Sequence, residues 1–129
     1  MTFTDTSPAL ARALDERAYH DLTPVQSAVL TPETLGRDIV VSAQTGSGKT
    51  VAFGLAIAPD LLQGADQLEV AGQPLALIIA PTRELALQVE KELAWLYHYA
   101  KARIVSCVGG MDPRTERRRL LEGAHIVVG

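Results

Sequence analysis

A single cysteine, Cys107, leaves the chain without an internal disulfide and excludes a small cross-linked secreted scaffold. The opening residues MTFTDTSPAL have neither the basic cluster nor the apolar run of a signal peptide, so a cytoplasmic protein is expected. Apolar runs such as VAFGLAIA and LALIIA fall far short of the roughly 18 residues that cross a bilayer, which implies no membrane partner. Excess positive charge is also absent. With 12 basic residues against 15 acidic ones the formal charge is -3, so any nucleic-acid contact must be local. His20, His98 and His125 lack the spacing of metal ligands. Neither an internal repeat nor a linker is visible.

What is present suits one α/β domain or part of one. A hydrophobic content of 47% over 129 residues is enough for a core. Ser7-Pro8 is a cap followed by a first-turn proline, and Leu10, Leu14 and Ala18 follow at helical spacing. Thr23-Pro24-Val25-Gln26 reads as a capping box that starts a second helix, with a break at Thr31-Pro32 and a stop at Gly36. DIVVSA at 38–43 predicts a strand buried on both faces. A helix over 49–62 follows, with Ala52, Phe53, Ala56 and Ile57 as its apolar face and a bend near Pro59; 63–74 reads as a surface loop. LALIIA at 75–80 predicts another buried strand. Thr82 then caps a long helix aligned on Leu85, Val89, Leu93, Leu96 and Ala100. RIVSCV predicts a third strand, Asp112-Pro113 starts a helix through Leu121, and HIVV supplies a fourth strand. This alternation implies a mostly parallel sheet with helices on both faces.

The segment AQTGSGKT consists of Ala43, Gln44, Thr45, Gly46, Ser47, Gly48, Lys49 and Thr50, and it lies between an expected strand and an expected helix. That setting makes it a phosphate-binding loop of the Walker A type, with alanine at the first position. Its glycines let successive N–H groups turn inward, and the following helix adds the partial positive charge of its N-terminus. Lys49 would set an ammonium against the β- and γ-phosphates, and the Thr50 hydroxyl would ligate Mg2+. These two residues are the candidate catalytic groups.

The sequence at this point resembles the N-terminal part of the first RecA-like domain of a DEAD-box ATP-dependent RNA helicase of bacterial type, in which AxTGxGKT is common. AYHDLTPVQ at 18–26 resembles the family's Q motif, implying that Gln26 reads the adenine edge and Tyr19 stacks on the ring. An amide offers adenine both a donor and an acceptor, and its two ends could also complete the capping box. Ala18 stands where the family usually has glycine, and Phe3 resembles the isolated upstream aromatic. PTRELALQ resembles motif Ia and Gly109-Gly110 the GG doublet, which implies RNA-backbone contact through Pro81, Thr82, Arg83, Gly109 and Gly110. Without the resemblance, Thr82 is a helix cap and the glycines a turn.

The resemblance divides the chain into a Q-motif region, 1–29, and the N-terminal portion of a RecA-like ATP-binding domain, 30–129. It implies that the last strands, the Mg2+-binding carboxylates and a second RecA-like domain in cis lie beyond Gly129. These 129 residues alone would then not turn over ATP, and a strand edge beside the phosphate loop would be exposed. The implied activity is RNA-dependent ATP hydrolysis with local separation of RNA duplexes and little sequence preference. A DNA helicase, a small-molecule kinase or a non-enzymatic nucleotide-binding module are the alternatives; Gln26 and PTRELA argue against the kinase. The arginines at 114 and 117–119, interrupted by Glu116 and Glu122, read as a solvated face. Cys107 reads as core, and Trp95, Tyr97 and Tyr99 as packing or surface aromatics.

Overall fold

A computed structural model describes residues 7–19, 21–34, 36–44, 48–109 and 112–129. Phe3 and His20 lie outside them. Local signals set the helix starts. Helix α1 (Pro8–Glu16) is capped by Ser7, whose hydroxyl accepts the Leu10 N–H. In α2 (Pro24–Val29) the capping box is complete in both directions, and a 3-10 turn, Pro32–Thr34, follows it. Helix α3 (Lys49–Leu62) runs through Pro59 and closes at Gln63, with φ 49°. Next come β1 (Ala76–Ile78), α4 (Arg83–Leu96) under its Thr82 cap, β2 (Ile104–Ser106), α5 (Pro113–Leu121) under Asp112, and β3 (Ile126–Val128).

Helix α1 stops short of Ala18, which takes φ 59°, while the Tyr19 N–H reaches back to the Leu14 carbonyl. A left-handed conformation costs an L-residue roughly 1–2 kcal/mol, and glycine is spared that cost. Ala18→Gly is therefore expected to stabilise the fold by about 1 kcal/mol, seen as a higher denaturant midpoint with an unchanged slope.

The strands form a parallel sheet of order β1-β3-β2, with Ile78 and Ser106 both level with Val128. Central β3 is buried along its whole length, as its unbroken apolar run requires. On one face, Ile126 and Val128 pack into the main core with Leu10, Leu14, Leu55 and Leu93. Each of those leucines is at most 1% exposed, worth about 2 kcal/mol apiece. On the opposite face, Val105, Val127 and Ala124 form a smaller cluster with Cys107 against it, so the thiol is half-buried. Helix α5 has no buried residue, and Leu77 of β1 stays 66% exposed.

Three expectations need correction. Residues 38–44 carry no ladder among the described residues; Ile39 and Val41 are exposed and Val40 entirely so. β-branching favours extended chain, yet a strand exists only where a neighbour pairs its backbone groups. LALIIA contributes a three-residue strand with one covered side, leaving Leu75, Leu77 and Ile79 exposed. The helix faces hold only in part. In α3, Ala52 is buried as expected, together with Val51, Leu55, Ala58, Leu61 and Leu62, while Phe53, Ala56 and Ile57 are half-buried. In α4, Val89, Leu93 and Leu96 are buried as expected, beside Ala86, and of the expected face only Leu85 is exposed. Helix α4 also ends at Leu96, so Ala100, though buried, lies beyond it.

The 63–74 segment is strapped across the N-terminal ends of the strands. Leu68 N–H donates to the Ala100 carbonyl, and Ala124 N–H donates to Gly72. His125, 5% exposed, accepts the Arg103 N–H at Nδ1 (2.8 Å), which leaves Nε2 carrying the proton to the Glu69 carbonyl (2.7 Å). His125 is thus a backbone staple between the 63–74 segment and the start of β2.

Candidate nucleotide site and nucleic-acid surface

Gly48 is the hinge on which the site is built. It caps α3 at φ 86°, and among the described residues no side-chain cap is made to this helix end. Its φ favours glycine, and a β-carbon there would stand 2.4 Å from Gln26 Nε2, so any side chain would also push the Gln26 amide off the Gly48 carbonyl. Lys49 and Thr50 are the first two residues of α3; the lysine is exposed and the threonine half-buried. Ala43 is half-buried and Gln44 exposed, while Thr45, Gly46 and Ser47 lie outside the described residues.

Gln26 is 1% exposed and uses both ends of its amide. Oε1 accepts the Thr23 N–H (3.0 Å), and Nε2 donates to the Gly48 carbonyl (3.3 Å). The capping box is therefore fastened directly to the exit of the glycine-rich loop. One lone pair on Oε1 and one hydrogen on Nε2 remain uncommitted by these contacts. Tyr19 does not touch this cluster through any described contact. It lies parallel to Trp95, with ring centroids 5.7 Å apart and planes 7° apart, and is 40% exposed.

Pro81, Thr82 and Arg83 follow β1 and are exposed; the Thr82 hydroxyl accepts the Leu85 N–H (3.2 Å), so its capping role is realised. Gly109 follows β2 and is exposed, and Gly110 lies outside the described residues. Because the strands are parallel, both segments emerge at the same end of the sheet. A groove of about 630 Å³ runs from Gly48, Lys49 and Thr50 across to Ala80 and Pro81, with Phe53, Ile78 and Val89 in its lining. It brings the phosphate-loop candidates and the start of the backbone-contact candidates onto one surface.

Sequence reasoning missed several supports. Glu116 accepts the Val108 N–H (3.1 Å) and so ties α5 to the residue before Gly109. Its only sequence trace was a carboxylate among arginines. Burial, and then the Glu116 charge, push the Cys107 thiol up, with Arg119 opposing them. Tyr97, at 0% exposure, donates its hydroxyl to the Gly54 carbonyl (2.5 Å), and burial drives its pKa upward. It locks α4 to α3 below the groove. Among the described residues, no helix is long and apolar enough to cross a membrane.

Comparison with known proteins bears on the family and the fold. The family model described as DEAD/DEAH box helicase matches residues 23–129. The ATP-dependent RNA helicase RhlB of Pseudomonas aeruginosa is 43% identical over 107 residues, covering 82% of this chain and 27% of that protein. Eukaryotic initiation factor 4A of Caenorhabditis elegans is 37% identical over 120 residues, covering 93% of this chain and 28% of its own. Among solved structures, the RNA helicase Prp28 of Chaetomium thermophilum bound to ADP superposes with a TM-score of 0.78 at 34% identity, over 93% of this chain and 29% of that one. The chain thus spans under a third of each of these proteins, and the α/β, RecA-like fold expected from the sequence holds.

Proposed function

Because the chain belongs to the DEAD/DEAH box helicase family, we propose that its protein is an ATP-dependent RNA helicase and that these residues form the ATP pocket and part of the RNA-backbone surface. The observation that carries this reading is the groove joining Gly48, Lys49 and Thr50 to Pro81. It sets an uncapped helix N-terminus, a lysine and a threonine hydroxyl beside the segment that would meet a second polyanion.

The donor set fits a nucleotide phosphate. Lys49 supplies an ammonium on a flexible stem, Gly48 leaves room for the Gln26 amide at the loop exit, and the α3 amides supply further donors. Thr50 offers one neutral oxygen, which suits Mg2+, an ion that takes few protein ligands and keeps waters and phosphate oxygens. When bound, Mg2+ would offset the negative charge of the phosphates. Ala43, Gln44, Thr45, Gly46 and Ser47 complete the proposed loop. Gln26 keeps the donor and acceptor that adenine needs, and a base docking there must displace what covers it. Pro81, Thr82, Arg83, Gly109 and Gly110 would hold RNA by its phosphates, so affinity would follow backbone more than sequence. The Arg83 cation and the α4 N-terminus would face the phosphates, with Glu84 also in that first turn. Strand separation would draw on a second RecA-like domain in cis.

The test is base preference in the full-length protein. Gln26→Ala is expected to lower the ATP:GTP ratio of kcat/KM by about tenfold, the scale of one lost base-specific hydrogen-bond pair. An unchanged ratio reduces Gln26 to a capping residue.

A further inference from the structure

Two aromatic rings on different helical units meet although no local pattern joins them. Tyr19 follows the left-handed turn at Ala18 (φ 59°), and Trp95 stands in the last turn of α4. Their rings are parallel, 7° apart in plane and 5.7 Å apart at the centroids. The Arg17 guanidinium also lies over the indole, 4.9 Å from its centroid. Trp95 sits between Leu93 and Leu96, which are 0% and 1% exposed, so its backbone is anchored by the main core. Tyr19 has no such anchor of its own and is 40% exposed.

We propose that Trp95 is a positioning residue for the nucleotide: it covers one face of Tyr19 and holds the ring with its other face turned to adenine. The proposal rests on the assignment of Tyr19 to the adenine ring. A tyrosine after a turn must give up rotamer freedom when it stacks on a base, and that loss subtracts from affinity. A partner already stacked on one face removes much of the loss beforehand, because offset-parallel rings restrain each other. The reversal at Ala18 brings the tyrosine to α4, and the Tyr19 N–H bond to the Leu14 carbonyl (3.0 Å) fixes the start of the side chain. Arg17 over the indole restrains the Trp95 ring in turn.

The experiment measures affinity of the full-length protein for ATP and for inorganic tripolyphosphate, which engages the phosphate loop without a base. Trp95→Ala is expected to weaken ATP binding by about three- to tenfold, the scale of one aromatic pair, and to leave tripolyphosphate unchanged. Trp95→Phe should restore most of the loss, and Trp95→Ala should add nothing in a Tyr19→Ala background. Trp95→Leu keeps apolar bulk without a ring and serves the same test if the alanine variant does not fold. Equal weakening of both ligands would make Trp95 a structural residue only. Tighter ATP binding would mean that Trp95 competes with adenine for Tyr19. Additive losses in the double variant, or a silent Trp95→Ala beside a damaging Tyr19→Ala, would also overturn the proposal while leaving the Tyr19 assignment intact. A silent Tyr19→Ala would sink that assignment and this inference together.

Discussion

Lys49→Ala is expected to reduce ATP hydrolysis by the full-length protein by about a hundredfold or more, with a parallel loss of ATP affinity. The lysine is exposed at the first position of α3, and no side-chain cap is made to that helix end among the described residues. Its ammonium has a four-carbon stem with which to follow charge as it develops on phosphate oxygens. Removing it leaves helix amides and the Thr50 hydroxyl, which are partial charges facing a polyanion. The fold should be unaffected, because the side chain lies outside the core. Calorimetry for ATP together with steady-state kinetics would check this. Wild-type affinity and turnover in the variant would show that the phosphate cradle is assigned to the wrong residues.

Gly123→Ala should have the largest effect on stability. Gly123 adopts φ 99°, outside the range L-residues take readily, and its β-carbon would meet the Ala71 carbonyl oxygen at 2.3 Å and the carbonyl carbon at 2.7 Å. The obstacle is backbone, which cannot rotate aside as a leucine tip can. Backbone strain and the displaced strap together should cost roughly 3 kcal/mol, a large share of the 5–15 kcal/mol that holds a typical domain. A fall in denaturant midpoint measures the cost. Faster proteolysis within 63–74 would show that it is released locally. A variant with wild-type midpoint would mean that the segment is not docked on Gly123.

Helix starts were legible because each is encoded within four residues. Ser7, Thr23, Thr82 and Asp112 all cap helices, and Gln26 completes its box. Strands were legible only in part, since pairing is decided by residues distant in sequence. HIVV is flanked on both sides and is buried, whereas the similar run DIVVSA has no ladder among the described residues. The face of α3 was read only in part, because that helix has apolar residues over a wide arc and periodicity alone does not choose its centre; the face of α4 was legible at Val89, Leu93 and Leu96 and missed at Leu85. Gly48 and Gln26 were each recognisable from local motifs. Their contact across 22 residues was not, and neither was the Tyr19–Trp95 stack, because no local pattern links a turn to a helix end far downstream.

The amide of Gln26 acts as a molecular ruler, and this limits what can stand at its position. It must accept from Thr23 at one end and donate to Gly48 at the other. Asparagine has the right groups but is one methylene short of spanning them. Glutamate has the length and would turn a second acceptor toward the Gly48 carbonyl, and lysine would offer no acceptor at all. Position 26 is thus restricted by the architecture before any base arrives. Any replacement perturbs the loop exit as well as the base contact. For that reason ATP affinity alone would mix the two losses, and the ratio of ATP to GTP is the quantity that separates them.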